Sequence, residues 1–159
     1  MDLRRLGVYL NDHLAGAVGG EELAKRCLSE NRGTPLGAFL ERLVEDVQAD
    51  RAALEGLMGR LGVPRDPWKS QASWLLEKLG RLKLNGGILS YSDLSRLEEL
   101  ESLSLGVEGK ASMWRALQPL SSDPRLGDLD LGELEKRAQR QREELETHRL
   151  EAARGVTGR

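Results

Sequence analysis

Apolar residues recur at alternating intervals of three and four through four long segments of this chain. The clearest segment runs from residue 36 to residue 61, where leucine or valine fills every seam position except Asp50. This spacing places the side chains along one face of an α-helix. Helices with one apolar face bury it by packing side by side, which predicts an all-α four-helix bundle. The other three seams lie at residues 3–17, 97–114 and 131–152.

Capping signals mark where the predicted helices begin and end. Thr34 precedes Pro35, a pairing typical of a helix N-cap with proline at the first helical position. Asp130 stands three residues before Glu133 and caps the last segment in a similar way. The sequence therefore predicts a single helical bundle domain over residues 1–159, with a short crossover helix as its third element. The predicted helices are residues 2–30, 35–62, 67–83, 92–118 and 129–154.

Charge and hydropathy limit the classes of partner that the chain can take. Charged residues make up 31% of the sequence but balance to a formal net charge of −2, and no basic face of the kind that binds nucleic acid is present. No apolar run approaches the ~18 residues that a membrane span needs, and the first ten residues lack the apolar core of a signal peptide. We therefore expect a cytoplasmic protein with neither nucleic acid nor membrane as a partner.

Polar residues interrupt the apolar seams at His13, Asp50, Gln141 and His148. A buried charge or imidazole is costly unless another polar group pairs with it. His13 and Asp50 each lie roughly 18 residues from the turn between their helices, so an antiparallel pair places both in one layer at mid-bundle. The favoured interpretation is a buried hydrogen-bonded pair of His13 with Asp50, while Gln141 and His148 face solvent or a subunit contact.

Two alternatives use the same residues. In one, His13 and Asp50 join a glutamate of the fourth segment, Glu101 or Glu108, as ligands of iron, manganese or zinc, with Glu108 taken as the third ligand. Metal sites in bundle cores are built from such inward-facing imidazole and carboxylate groups. In the other alternative the residues line a ligand pocket. The favoured interpretation needs no cofactor.

Glycines occupy helix interiors in two stretches, AGAVGG and SLGVEGKASMW. Each glycine destabilises a helix by roughly 1 kcal/mol relative to alanine, so Gly16, Gly20, Gly106 and Gly109 need a compensating role. A shallow glycine face permits the close approach of a neighbouring helix or of a large ring such as that of Trp68, Trp74 or Trp114. We favour this packing role over a ligand pocket.

The stretches YLNDHLAGAVGGEELAKR and LEELESLSLGVEGKASMWRAL resemble an uncharacterised group of bacterial ferritin-like or four-helix proteins. The resemblance extends over almost the whole chain and implies a ferritin-like bundle: an up-down pair, a crossover with its own short helix, and a second long pair. Ferritin-like iron enzymes carry Glu-x-x-His on two helices. This chain has Gln48 where a histidine would follow Glu45, and Leu145 where a glutamate would precede His148. The usual di-iron motif is absent, so ferroxidase or oxygenase activity is not expected.

These observations favour a non-enzymatic structural or interaction protein with a ferritin-like bundle. The alternative is a degenerate metal-binding, stress-related ferritin relative that uses inward-facing histidine and carboxylates. A homodimer is also expected, because the apolar seam of the last helix is narrow for its length and leucines outside the core favour symmetric association. The seam residues are Leu131, Leu134, Ala138, Leu145 and Ala152.

Overall fold

Four α-helices make up most of the described chain. The computed structural model describes residues 2–66 and 91–158, and no β-strand occurs in these ranges. The helices are α1 (Leu3–Glu30), α2 (Pro35–Leu61), α3 (Asp93–Leu117) and α4 (Leu131–Thr157). The two 3-10 turns that join α3 to α4 are Gln118–Leu120 and Pro124–Leu126. The predicted all-α class is confirmed for these ranges, and the predicted crossover helix at 67–83 lies outside the described residues.

Polar side chains cap the helices where the sequence predicts them. Thr34 accepts a hydrogen bond from a backbone N–H in the first turn of α2 at 3.0 Å, and Asp130 does the same for α4 at 3.0 Å. Such caps satisfy amide groups that have no partner inside the helix. The last helix continues to Thr157 rather than ending at 154, because Gly158 takes the left-handed conformation (φ 70°) that closes its C-terminus.

Helix directions follow from the contacts between the helices. The short turn after α1 makes α2 antiparallel to it. Near its C-terminus α1 contacts the start of α3 through the ion pair of Arg26 with Glu99 (2.5 Å), and near its N-terminus Leu10 packs in one cluster with Trp114, close to the end of α3. Helix α3 is therefore antiparallel to α1 and parallel to α2. Helix α4 folds back along α3, which completes an up-down-down-up order.

The parallel arrangement of α2 and α3 requires one long connection. The described chain stops near the N-terminal end of α1, where the backbone N–H of Asp66 donates to Asn11 Oδ1 at 2.7 Å. It resumes near the C-terminal end of α1, where Asn31 Nδ2 donates to the Tyr91 hydroxyl at 2.9 Å. Asn11 and Asn31 lie about 30 Å apart along α1 at 1.5 Å per residue. The connection therefore covers most of the bundle length.

A polar layer divides the core into two apolar clusters. Representative members are Leu23, Leu40 and Leu103 in one cluster, and Leu14, Leu57 and Trp114 in the other. Between the clusters, Lys110 of α3 donates hydrogen bonds to Asp50 of α2 and to Gln141 of α4. Burial of the apolar side chains drives folding of both clusters, whereas the layer between them is stable only if its polar groups find partners.

Charged side chains cover much of the outer surface of α3 and α4. Glu108 binds Arg142, and Glu101 lies 3.4 Å from Arg149. The side chain of Arg149 is 25% exposed and the other three are more exposed, and such surface ion pairs contribute only about 0–1 kcal/mol each. Among the described residues, no helix is both long enough and apolar enough to cross a membrane.

Candidate functional site

A cavity of about 340 Å³ is lined by side chains of α1, α2 and α3. Its volume falls in the range of about 300–1,000 Å³ that small-molecule sites occupy. Its apolar end is walled by Leu23, Leu43 and Leu103, and its polar end by His13, Asp50 and Lys110. The polar end belongs to the layer that divides the core, so the cavity lies at mid-bundle.

Four helix-interior glycines line this cavity, two from α1 and two from α3: Gly16, Gly20, Gly106 and Gly109. A Cβ atom added at any of them would meet no described heavy atom within 4 Å. Close packing by the described part of a neighbouring helix, Trp114 included, therefore does not explain these glycines. The other two rings that the sequence suggested for this role, those of Trp68 and Trp74, lie outside the described residues. Because the four glycines have no side chains, they leave open the space between α1 and α3.

Alanine at Gly16 or Gly109 should raise the free energy of unfolding by about 0.5–1 kcal/mol, because alanine is the better helix former and its methyl group meets open space. Urea denaturation of the full chain measures the change. Gly37→Ala is a matched control of opposite sign, since its Cβ would lie 2.2 Å from the carbonyl oxygen of Asn31. Destabilisation of both cavity variants would show that another group packs against these glycines.

Asp50 is the centre of the polar end. Its side chain is 3% exposed, and Oδ2 accepts a hydrogen bond from Lys110 Nζ at 2.5 Å while Oδ1 accepts one from Arg137 Nη2. Lys110 also donates to Gln141 Oε1 at 2.5 Å, and Gln141 donates to Asp46 at 2.9 Å. These hydrogen bonds join α2, α3 and α4. Because the polar groups are largely buried, each needs its partner to offset the loss of hydrogen bonds to water.

Lys110 is the functional residue that the sequence did not single out. Burial lowers the pKa of its ammonium group, the Asp50 carboxylate opposes that shift, and the guanidinium of Arg137 adds to it. Lys110 lies one position before the seam residue Ala111, so the seam pattern alone assigns it to the outside. The sequence feature that could have identified Lys110 is its position four residues after Gly106, because residues four apart share one face of a helix.

His13 lines the polar end but does not bind Asp50 there. Its ring contacts that of Tyr9 edge-on, with centroids 4.6 Å apart and an angle of 73° between the planes. Burial lowers the pKa of His13 and Asp12 opposes the shift, so the imidazole is mainly neutral at pH 7. The shared layer brings His13 and Asp50 to one cavity, but the oxygens of Asp50 are taken by cations, which bind a carboxylate more strongly than a neutral ring does.

The structure does not bring the three candidate metal ligands together. His13 and Asp50 line the cavity, whereas Glu108 does not line it and binds Arg142 of α4 instead. The other candidate, Glu101, is exposed on α3. Within residues 2–66 and 91–158, no group of three or more His, Cys, Asp and Glu side chains is placed to hold a metal ion.

The remaining polar seam residues and the single cysteine do not line the cavity. Gln141 is buried in the polar layer. The side chain of His148 is 13% exposed, and its ring centroid lies 5.0 Å from that of Phe39. Cys27 is buried, and this burial, together with the nearby Glu99 carboxylate, raises the pKa of the thiol to about 12. Such a thiol is protonated at neutral pH and is a poor nucleophile.

Comparison with known proteins gives no assignment for the cavity. No family model, curated protein or solved structure matches the chain at a significant level. The function proposed below therefore rests on the cavity itself: its open glycine faces, its mainly apolar walls and the charged groups at its polar end.

Proposed function

We propose that this protein is a non-enzymatic binding protein whose cavity takes up a small molecule with an apolar body. The open glycine faces carry this proposal. Relative to alanine, Gly16, Gly20, Gly106 and Gly109 lower helix stability by roughly 4 kcal/mol in total, at about 1 kcal/mol each. No described atom packs into the space that they leave. A space of this size with mainly apolar walls suits an apolar ligand.

The charged groups at the cavity support binding rather than catalysis. Asp50 is held by two cations, and Arg51 lies 2.7 Å from Glu21 and 3.1 Å from Glu55. With cations bound at both oxygens, the carboxylate of Asp50 is held in one position. Groups fixed in this way can orient a ligand, which is the role that we assign to them.

Ferritin-like connectivity is part of the same proposal. Ferritin-like bundles contain one long crossover connection, and the parallel directions of α2 and α3 support such a connection here. Binding of iron, manganese or zinc is the alternative. A metal at Asp50 would have to displace Lys110 and Arg137, which are close cationic partners of its two oxygens. Metal binding is therefore less favoured than binding of an apolar small molecule.

Three ten-carbon probes test the proposal: decanoate, decanol and decylamine, each titrated into the full chain by isothermal titration calorimetry. We expect at least one probe to bind at a single site. Gly16→Leu should weaken that binding by at least about tenfold, which corresponds to about 1.4 kcal/mol, because the new side chain occupies the cavity. Leucine is a good helix former, so this variant should melt no lower than the natural protein.

Gly59→Leu is the matched control. Gly59 lies on α2, is exposed and does not line the cavity, and no described atom lies within 4 Å of an added Cβ. This variant should bind the probes as the natural protein does. If no probe binds, or if Gly16→Leu and Gly59→Leu bind alike, the cavity is not the ligand site.

A further inference from the structure

Cations and carboxylates lie close together at the polar end of the cavity. Two cations, Lys110 and Arg137, bind the single carboxylate of Asp50. The carboxylate of Asp46, on the same helix, accepts a hydrogen bond from Gln141 rather than from either cation. Asp46 still acts electrostatically on Lys110, and Asp12 also lines the cavity, so the charges at this end are close to balanced. What a ligand group gains here therefore depends on the hydrogen-bond donors that remain unused.

Two hydrogen-bond donors at this end have no acceptor in the described part of the chain. An ammonium group has three N–H donors, and Lys110 uses two of them, toward Asp50 and Gln141. Trp114 lines the cavity and is fully buried, yet its indole Nε1 donates to no acceptor. A buried N–H without an acceptor is unfavourable, so a ligand that brings acceptor oxygens to this end gains more than one that brings donors.

On the basis of the proposed function, we infer that the ligand is a carboxylic acid with an apolar chain, whose carboxylate is bound at the polar end by Lys110 and Trp114. Its chain extends along the glycine faces toward the apolar end. From His13 to Leu23, α1 covers about 15 Å, a length that suits a chain of roughly ten carbons. The charged end gives the ligand its orientation, and the apolar walls supply most of the contact area.

An amine fits this end less well than a carboxylate. Both oxygens of Asp50 already accept hydrogen bonds from cations, so an ammonium group would compete with Lys110 and Arg137 for this carboxylate and is repelled by both. Asp12 also lines the cavity, but it is exposed, and solvent screens its charge. An alcohol can accept a hydrogen bond, but a bond to its neutral oxygen is weaker than one to a carboxylate.

The order of affinities for the three probes tests the inference on the unaltered full chain. Decanoate should bind with a dissociation constant at least about tenfold lower than those of decanol and decylamine, since bonds to an ionised acceptor are the stronger ones. Decanol or decylamine binding as tightly as decanoate would overturn the carboxylate assignment and leave the proposed function standing. If none of the three binds, the proposed function itself fails.

Two variants test where the carboxylate of the bound ligand lies. Lys110→Met should remove the preference for decanoate while decanol binds as before, whereas Lys136→Met, an exposed lysine of α4 outside the cavity, should keep the preference. Trp114→Phe keeps an aromatic ring, removes the N–H and should reduce decanoate affinity by several fold. This variant tests the inference even if Lys110→Met does not fold. An unchanged decanoate preference in a folded Lys110→Met or Trp114→Phe protein would assign the carboxylate elsewhere and overturn the inference.

Discussion

Asp50→Asn should lower the free energy of unfolding by about 3–5 kcal/mol, the usual effect of removing one partner from a buried ion pair. The substitution leaves the ammonium of Lys110 and the guanidinium of Arg137 close together without a counter-charge. The side chain of Arg137 is 30% exposed and can turn toward water, but that of Lys110 is 15% exposed. Equilibrium urea denaturation measures the loss.

Asp128→Asn is the control for this variant. Asp128 is exposed in the link between α3 and α4, where a change of charge should alter the free energy of unfolding by no more than about 0.5 kcal/mol. A loss below about 1 kcal/mol for Asp50→Asn would mean that the polar layer is far more hydrated than its burial indicates.

Double-mutant cycles distinguish the observed partners of Asp50 from the predicted one. Asp50→Asn combined with Lys110→Met should cost clearly less than the sum of the single variants, because the two groups are in contact. Asp50→Asn combined with His13→Ala should be close to additive, since no hydrogen bond joins these side chains. Coupling with His13 instead of Lys110 would restore the pair predicted from the seam positions.

Glu99→Leu should destabilise the protein by a similar amount, about 3–5 kcal/mol. Glu99 is fully buried; the Tyr91 hydroxyl donates to its Oε2 at 2.9 Å, and Arg26 Nη2 lies 2.5 Å from its Oε1 in a close ion pair rather than an aligned hydrogen bond. Leucine leaves both partners without an acceptor. The effect is again measured by urea denaturation, with Glu99→Gln expected to lose less because an amide oxygen still accepts from Tyr91.

Glu98→Leu is the neighbouring control, because Glu98 is only partly buried and its carboxylate takes no part in this network. It should change the free energy of unfolding by no more than about 0.5–1 kcal/mol. If Glu99→Leu proves as mild as Glu98→Leu, the network that joins the C-terminal end of α1 to the start of α3 does not stabilise the bundle.

Local patterns in the sequence determined the helices. The three-and-four spacing of leucines, the cap at Thr34 before Pro35 and the cap at Asp130 depend on residues that are close in sequence, so helix class and most helix ends could be predicted. The same patterns identified Asp50 and Gln141 as polar residues on apolar seams, and both are buried. The favoured interpretation placed Gln141 at solvent or at a subunit contact, and its burial against Lys110 and Asp46 corrects that expectation.

Only the tertiary structure decided what these residues contact. The partner of Asp50 is Lys110, 60 residues away and off the seam, because α3 and α4 are rotated so that their cations point into the layer. The sequence established that four glycines lie inside helices and weaken them. Whether those glycines face a helix or a cavity depends on the distance between α1 and α3, which is set by packing among all the helices and is not encoded in any local pattern.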